Sequence, residues 1–537
     1  MRKTNGYQVV LTADRTLTAD YTLLFDGMLA ASQTTATPSP IMNTLLLPSS
    51  KGGSVRARVA PLGLRRVEAA LVEGGFDPDE VAVVDHAHLR DAIGPATRVV
   101  GVSSGEPCGL GMNTSTMTAI AGGEIYPLAM FRKLMSEVRR LLGARSPSAK
   151  VILGGPGAWQ VAAGESARAE LGIDHVVTGY AEGNIAAIFR AIAGGESAPD
   201  VIEGKGVSGA DVPRIRGAAT MGVVEISRGC GLGCAFCTIA REPMSHLPAS
   251  AIIEDAKTNV AAGSTSIAVL SEDFFRYGAT GMKVEPQALI SLLEQLREVD
   301  GLRLIQVDHA NVLSVSRFSD EELNTVHTLL VGSNRHRYPW VNIGVETASG
   351  RLLQASGGAA KMGCAADEWA DFSAEQVRRL CRAGFFPMAS LMIGLPGETS
   401  DDVRATLAWV EGLREERISV FPMLHAPIDG DPPPNPRDLC PMHWRLIKAC
   451  YRLNFKWVPR MYWDNQTGAG VGLLRRCVMQ LLGCGQMLQW RALFAWHSAK
   501  AGSNTEDAEH ESEKSGAAAE QLLDGPPGAR GNNVRLH

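Results

Sequence analysis

The chain has 537 residues, 45% of them hydrophobic and 20% charged, with a net charge of −5 at pH 7. That length allows several domains, the apolar content excludes global disorder, and the weak negative balance gives no reason to expect a nucleic-acid partner. The N-terminus leads into no apolar signal-peptide core and no run reaches about 18 uninterrupted apolar residues, so no transmembrane segment and a cytoplasmic location are expected.

In chain order, residues 1–60 read as an N-terminal extension holding one or two strands, Tyr7–Thr12 and Thr22–Phe25. From 61 to 193, short apolar runs alternate with helical patterns. Leu62–Gly74, Met130–Leu142, Val161–Leu171 and Glu182–Ala193 are helical, and Val81–Val84, Val99–Ser103, Lys150–Leu153 and Asp174–Val177 are strands. Strands that are apolar throughout and separated by helices predict a parallel sheet covered on both faces. Ligands of such Rossmann-like sheets bind beyond the carboxyl ends of the strands. Those ends carry three glycine-containing loops, Ser103-Ser-Gly105-Glu106-Pro-Cys-Gly, Gly154-Gly155-Pro-Gly157 and Thr178-Gly179-Tyr-Ala-Glu182-Gly.

Residues 194–217, rich in Gly, read as a linker to a second alternating block over 218–430. Its strands are Val223–Ile226, Ser266–Leu270, Leu302–Val307, Trp340–Val345, Met388–Ile393 and Ile418–Pro422. Six βα units predict a partial (β/α)6 barrel, whose chemistry belongs at the carboxyl ends of its strands. Residues 431–500 form a helical, lid-like region. Within it Val471–Trp490 is an amphipathic helix, since Arg475-Arg476 and three Gln interrupt it. The polar, Ala/Glu-rich segment 501–537 is expected to be disordered. The fold class is therefore α/β: a Rossmann-like parallel sheet, a partial barrel, then a helical tail.

The densest chemistry lies in Ser227-Arg228-Gly-Cys230-Gly-Leu-Gly-Cys234-Ala-Phe236-Cys237, directly after the first barrel strand. Three thiols in eight residues can grip one compact metal centre, and Gly229, Gly231 and Gly233 let the backbone curl around it. A structural zinc site needs four ligands, usually in two pairs, and the other cysteines form no second C-x2-C. A disulfide framework fits poorly with a long chain lacking a secretory signal. A [4Fe–4S] cluster normally takes four Cys, so three leave one iron open to a substrate.

The C-x3-C-x2-C loop, with an aromatic before its last Cys, resembles that of radical S-adenosylmethionine (SAM) enzymes. Ser271-Glu272-Asp273, Gly344-Val-Glu346-Thr-Ala-Ser349 and Ile393-Gly394-Leu-Pro-Gly-Glu398 resemble that family's SAM-binding segments at later strand ends. The resemblance implies SAM contacts from Phe236, Glu272, Asp273, Glu346, Ser349 and Gly394, with Arg228 and the Glu272/Asp273 pair tuning cluster and SAM. The first block, through Val151–Gly157 and Asp174–Gly183, resembles the cobalamin-binding domain of B12-dependent members. It implies a corinoid held by Ser103, Gly105, Glu106, Gly154, Gly155, Gly157, Gly179 and Glu182. The D-x-H-x-x-G motif that supplies histidine to cobalt in other B12 folds is missing, because Asp85-His86-Ala-His88 does not complete it.

The implied function is methylation of an unactivated carbon through a 5′-deoxyadenosyl radical and methylcobalamin. The implied cofactors are a [4Fe–4S] cluster, SAM and cobalamin. The partners are a small-molecule or peptide substrate and an external electron donor of the flavodoxin or ferredoxin type. Cyclisation or rearrangement without methyl transfer is the alternative, and a non-catalytic corinoid- or cluster-binding protein is another. The methylthiotransferase branch is not expected, because its first domain carries extra cluster cysteines and this one holds only Cys108. Asp308-His309, Tyr277, His425 and Tyr462-Trp-Asp464 are candidates to face the substrate.

Overall fold

The computed structural model describes residues 5–48, 54–332, 337–428, 435 and 439–523, with 501–523 described by backbone alone. Six parallel strands make the first sheet: β1 Val9–Ala13, β2 Val81–Val83, β3 Val99–Ser103, β4 Lys150–Gly154, β5 His175–Thr178 and β6 Val201–Glu203. Their spatial order is β2-β1-β3-β4-β5-β6. Every residue of β1 and β3 is buried, which is why both read as continuous apolar runs. Phe131, Leu134 and Val138 of helix Tyr126–Arg145 cover one face. Leu64 and Leu71 of Leu62–Glu73, with Phe189 and Ile192 of Ile185–Ala193, cover the other.

The sheet runs past both expected boundaries. β1 comes from the presumed extension and pairs with β2 and β3, and β6 comes from the presumed linker. Thr22–Phe25 is not a strand, for Leu24–Ala31 is helical, with the Asp26 carboxylate accepting from the Leu23 amide at 3.2 Å. A short apolar run bordered by polar residues carries too little period to separate the two outcomes.

The second unit has strands β7 Val223–Glu225, β8 Ser266–Leu270, β9 Leu304–Val307, β10 Trp340–Glu346, β11 Phe386–Ile393 and β12 Ser419–Leu424. Neighbours in sequence are neighbours in space, all parallel, as in a partial barrel. The third position steps at Asp308: β9 pairs with β8, whereas His309–Ala310 pairs with β10. Helices Ala249–Ala261, Pro286–Arg297, Asp320–Val331, Trp369–Arg382 and Ser400–Gly412 return the chain between strands. Their starts are written locally; Ser319 and Glu322 exchange side-chain and backbone bonds, as do Thr399 and Asp402.

Two helices, Pro441–Gly468 and Leu473–Leu523, are the last elements among the described residues. Tyr451 meets Trp490 and Phe494 with ring centroids 5.4 and 4.5 Å apart, and Trp444 stacks on His497 at 5.0 Å. The second helix is amphipathic over its first half: Met479 and Phe494 are buried, while Leu474, Leu481 and Leu488 face outward. It continues through Ala501–Leu523, where disorder was expected. Ala, Glu, Gln and Leu, which are frequent in that segment, are strong helix formers. The rest of that expected tail, 524–537, lies outside the described residues. Among the described residues no helix is long and apolar enough to cross a membrane.

Candidate functional site

The three-cysteine loop leaves β7 through a short antiparallel bridge, Ser227–Arg228 against Ser245–His246, which closes its base. Inside, the Cys230 amide donates to the Glu242 carbonyl at 3.0 Å and the Gly233 amide to Ala240 at 2.9 Å. Gly229 has φ +71°, and a β-carbon there would lie 2.4 Å from the Pro243 carbonyl oxygen. Only glycine combines that left-handed turn with so close an approach. Arg276, 3% exposed, donates to the Cys230 carbonyl at 2.8 Å and to the Gly281 carbonyl at 2.9 Å. It clamps the loop to the end of β8, a role that the sequence carried no signal for.

Burial raises all three thiols, Cys234 to about 11, with Lys361 opposing the rise at each. Neutral thiols are the result until a metal deprotonates them. Among the described residues no three His, Cys, Asp or Glu side chains converge as a single ion requires. Cluster ligation is different, because the thiolates are spread over several irons. The donor set of three sulfurs on one curled loop fits that cluster.

At the end of β10 the pairing register with β11 shifts between Gly344 and Glu346. Glu346 takes φ +66°, an uncommon conformation for a residue with a side chain. Such bulges re-aim side chains near active sites. The carboxylate is buried and ion-paired with Lys361, itself 6% exposed. Burial works against the Lys361 charge, but Glu346 outweighs it and raises the ammonium's pKa. A β-carbon on Gly344 would come within 2.4 Å of Glu346 Oε1 and 2.6 Å of Lys361 Nζ, so the glycine makes room for the pair. Lys361 lies on a four-residue helix, and no motif marked it.

The implied SAM residues divide. Phe236 and Glu346 line one cavity with Cys237. Burial raises the Glu272 carboxyl, which His309 opposes. Asp273 does not share that position: it is fully buried and accepts from the amide and the side-chain amide of Asn311, both at 3.1 Å, and from Ser314. Ser349 caps helix Gly350–Ala355 and donates to Asp402. Gly394 turns the chain at φ +81° and donates to Glu398 at 3.0 Å; Glu398 in turn meets His443 at 3.0 Å. Of the substrate candidates, His309 and Tyr462 line the cavity. Tyr277 is tied to the Leu247 carbonyl, and Asp464 accepts from the Arg337 and Tyr338 amides. His425 is buried.

The sheet-end loops of the first unit divide likewise. β-Carbons on Gly105 and Gly179 would meet nothing within 4 Å, and Gly154 only a carbonyl at 3.8 Å, so these three border open space. Gly155 and Gly157 instead serve loop packing, since β-carbons there would lie 2.5 Å from Ser103 Oγ and from the Gly105 carbonyl oxygen. Glu106 accepts from the Gly111 amide and Gln160, both at 3.2 Å. Glu182 bonds Arg228 of the barrel at 2.6 Å. Its second oxygen and Arg228 Nη1 are buried with no hydrogen-bond partner among the described residues. A cavity of about 670 Å³ joins the two units, running from Leu110 and Trp159 past Cys237 to Glu346 and on beneath the C-terminal helices.

Residues 224–410, from β7 through helix Ser400–Gly412, match the family model of the Radical SAM superfamily. The chain carries a radical SAM domain. That family implies a [4Fe–4S] cluster and SAM, for which the three-cysteine loop provides the donor set. Ribosomal protein uS12 methylthiotransferase RimO of Syntrophobacter fumaroxidans is 30% identical over 219 residues, covering 40% of this chain and 44% of that protein. RimO of an Anaeromyxobacter species is 29% identical over 233 residues, 42% and 45% of the two chains. The chain thus spans less than half the length of these relatives. The solved structure of the radical SAM methyltransferase TsrM from Kitasatospora setae, with tryptophan substrate and a SAM analogue bound, superposes with TM-score 0.51 at 15% identity. That match covers 78% of this chain and 75% of TsrM. At that identity the likeness is one of fold.

Proposed function

We propose that this chain is a cobalamin-dependent radical SAM methyltransferase acting on an unactivated carbon. The observation that carries the reading is the continuous cavity that reaches from Leu110 and Trp159, beside two of the first unit's sheet-end loops, to Cys237 in the cysteine loop of the barrel. When bound, the cluster and SAM supply a 5′-deoxyadenosyl radical for hydrogen abstraction, and methylcobalamin supplies a methyl group.

The chain's own residues do the holding. Cys230, Cys234 and Cys237 would hold the cluster, and Glu346, at its bulge, with Glu272 would receive the methionine end of SAM. Gly105, Gly154 and Gly179 leave the sheet-end crevice open to a corinoid. The unpartnered oxygen of Glu182 and nitrogen of Arg228 suit its peripheral amides, which both donate and accept. Leu232, Cys234 and Phe236 form the buried side of the cysteine loop and help keep water from reactive species. A one-electron donor of the flavodoxin or ferredoxin type and a reducing, cytoplasmic setting belong to the same proposal.

The RimO relatives favour a second reading, methylthiolation. Against it, the first unit holds only Cys108, too few thiols for a second cluster. Anaerobic reconstitution with iron, sulfide and hydroxocobalamin, followed by product analysis under strong reductant, separates the readings. Bound corinoid with both 5′-deoxyadenosine and S-adenosylhomocysteine supports the methyltransferase. Deoxyadenosine without homocysteine product supports radical cyclisation or rearrangement, and a chain that takes no corinoid overturns the cobalamin assignment.

A further inference from the structure

The walls of the 670 Å³ cavity differ from one end to the other. Near Cys237 they carry His309, Asn342 and Glu346. Away from it they are methionine and aromatic, with Met28, Met117, Met479 and Met487 contributed by three separate helices, while Met392 and Met423 stand side by side on β11 and β12 next to the Glu346 end. Methionine is unbranched and polarizable, and adapts to irregular apolar ligands.

The polar side chains in this distal wall are already spent on the protein. Gln486 donates to Gln33 at 2.9 Å, and Gln480 to the Pro459 carbonyl at 3.0 Å. Asn454 clamps both the amide and the carbonyl of Val420, at 2.7 and 2.8 Å, and the Tyr462 hydroxyl donates to Asp26. A sugar, amino acid or peptide placed there would lose its water without gaining partners, a cost of roughly 1–3 kcal/mol per group. The entrance is apolar too, because Leu110 and Ile428 line the cavity while 49% and 43% exposed.

We propose that the substrate is a long-chain apolar molecule of the lipid class. Its chain lies among the methionines, and the carbon to be modified lies at the Cys237–His309–Glu346 end. This rests on the radical SAM reading above for the chemistry, and on the cavity alone for the class of molecule.

Gly483 and Gly485 test it. Both sit in helix Leu473–Leu523 with nothing within 4 Å of an added β-carbon, but only Gly483 lines the cavity. Two residues apart on a helix, they point about 200° from one another. Tryptophan has better helix propensity than glycine, so neither variant is expected to lose the helix. The full-length chain, stripped of lipid by solvent extraction, is titrated with cis-parinaric acid and followed by that probe's fluorescence. Saturable binding, weakened at least tenfold by Gly483→Trp, unchanged by Gly485→Trp and not displaced by free tryptophan or a tripeptide, is the result expected. No binding, equal binding by the two variants, or displacement by the tripeptide overturns the proposal. SAM cleavage by the reconstituted chain is measured in parallel. Cleavage without parinaric binding overturns the substrate class and leaves the radical SAM reading standing. Binding without cleavage overturns that reading, and with it the lipid's role as substrate.

Discussion

Arg228, at the end of the first barrel strand, donates to Glu182 of the β5 loop at 2.6 Å and to both oxygens of Glu225 at 2.9 Å. Its guanidinium lies over the Tyr180 ring, 4.2 Å from the centroid. Arg228 and Glu182 are 6% and 7% exposed, so one cation ties the sheet-end loop to the strand that launches the cysteine loop. Burial disfavours its charge, but Glu225 and Glu182 outweigh that and raise its pKa further.

Arg228→Met leaves the buried Glu182 carboxylate without its counter-ion and Glu225 with only Arg66, 3.9 Å away. It should cost about 3–5 kcal/mol, seen as a lowered urea midpoint, and should loosen corinoid retention during gel filtration. Glu182→Gln keeps the Glu225 pair and should cost clearly less. Equal losses for the two would contradict the account.

Lys361→Met strands Glu346 in the same way, with an expected cost of about 3–5 kcal/mol. Gly344→Ala forces the pair apart by crowding both partners, and is expected to weaken SAM binding at least tenfold by isothermal titration. Unchanged SAM affinity in Gly344→Ala would remove Glu346 from the SAM site.

Much of the fold was legible because its signals are local. The cysteine loop packs its donors and glycines into the nine residues 229–237, and each barrel strand is an apolar run beside a helical pattern. The missed parts are non-local. Tyr7–Thr12 reads as a strand, but its place in the first sheet shows only when β2, about seventy residues on, pairs with it. Glu182 and Arg228 were each legible as loop residues, but only the fold joins them. Lys361 and Arg276 stand in no motif, and become functional candidates only because Glu346 and the Cys230 carbonyl lie beside them. The helix beyond Ala501 was missed because the same Ala/Glu-rich composition suits both a helix and a disordered tail.

Asp14, at the end of β1, is 1% exposed, and burial raises its carboxyl to about 6 against the opposing bonds from Thr16 and the charge of His86. Between about pH 4 and 6 the folded chain holds a proton that the unfolded chain has lost. Stability should therefore fall as pH rises through that window, by roughly 3 kcal/mol in all. Asp14→Asn keeps an oxygen for the Thr16 amide, now 2.8 Å away, and should flatten the profile and be the more stable form at pH 7. Parallel urea-midpoint profiles for the two proteins would contradict this.

Removing one ligand should abolish cluster retention. Cys234→Ala, reconstituted beside the parent, is expected to lose the broad charge-transfer absorption and most of about four irons per chain. Iron content equal to the parent's would mean that the three thiols do not hold the cluster.

The most direct measurement is reductive SAM cleavage. The anaerobically reconstituted chain is incubated with SAM and dithionite, and 5′-deoxyadenosine is quantified beside Cys237→Ala. The account predicts deoxyadenosine and methionine in equal amounts from the parent and none above background from the variant. A cluster-loaded parent that leaves SAM intact, or a variant that cleaves it equally well, would contradict it.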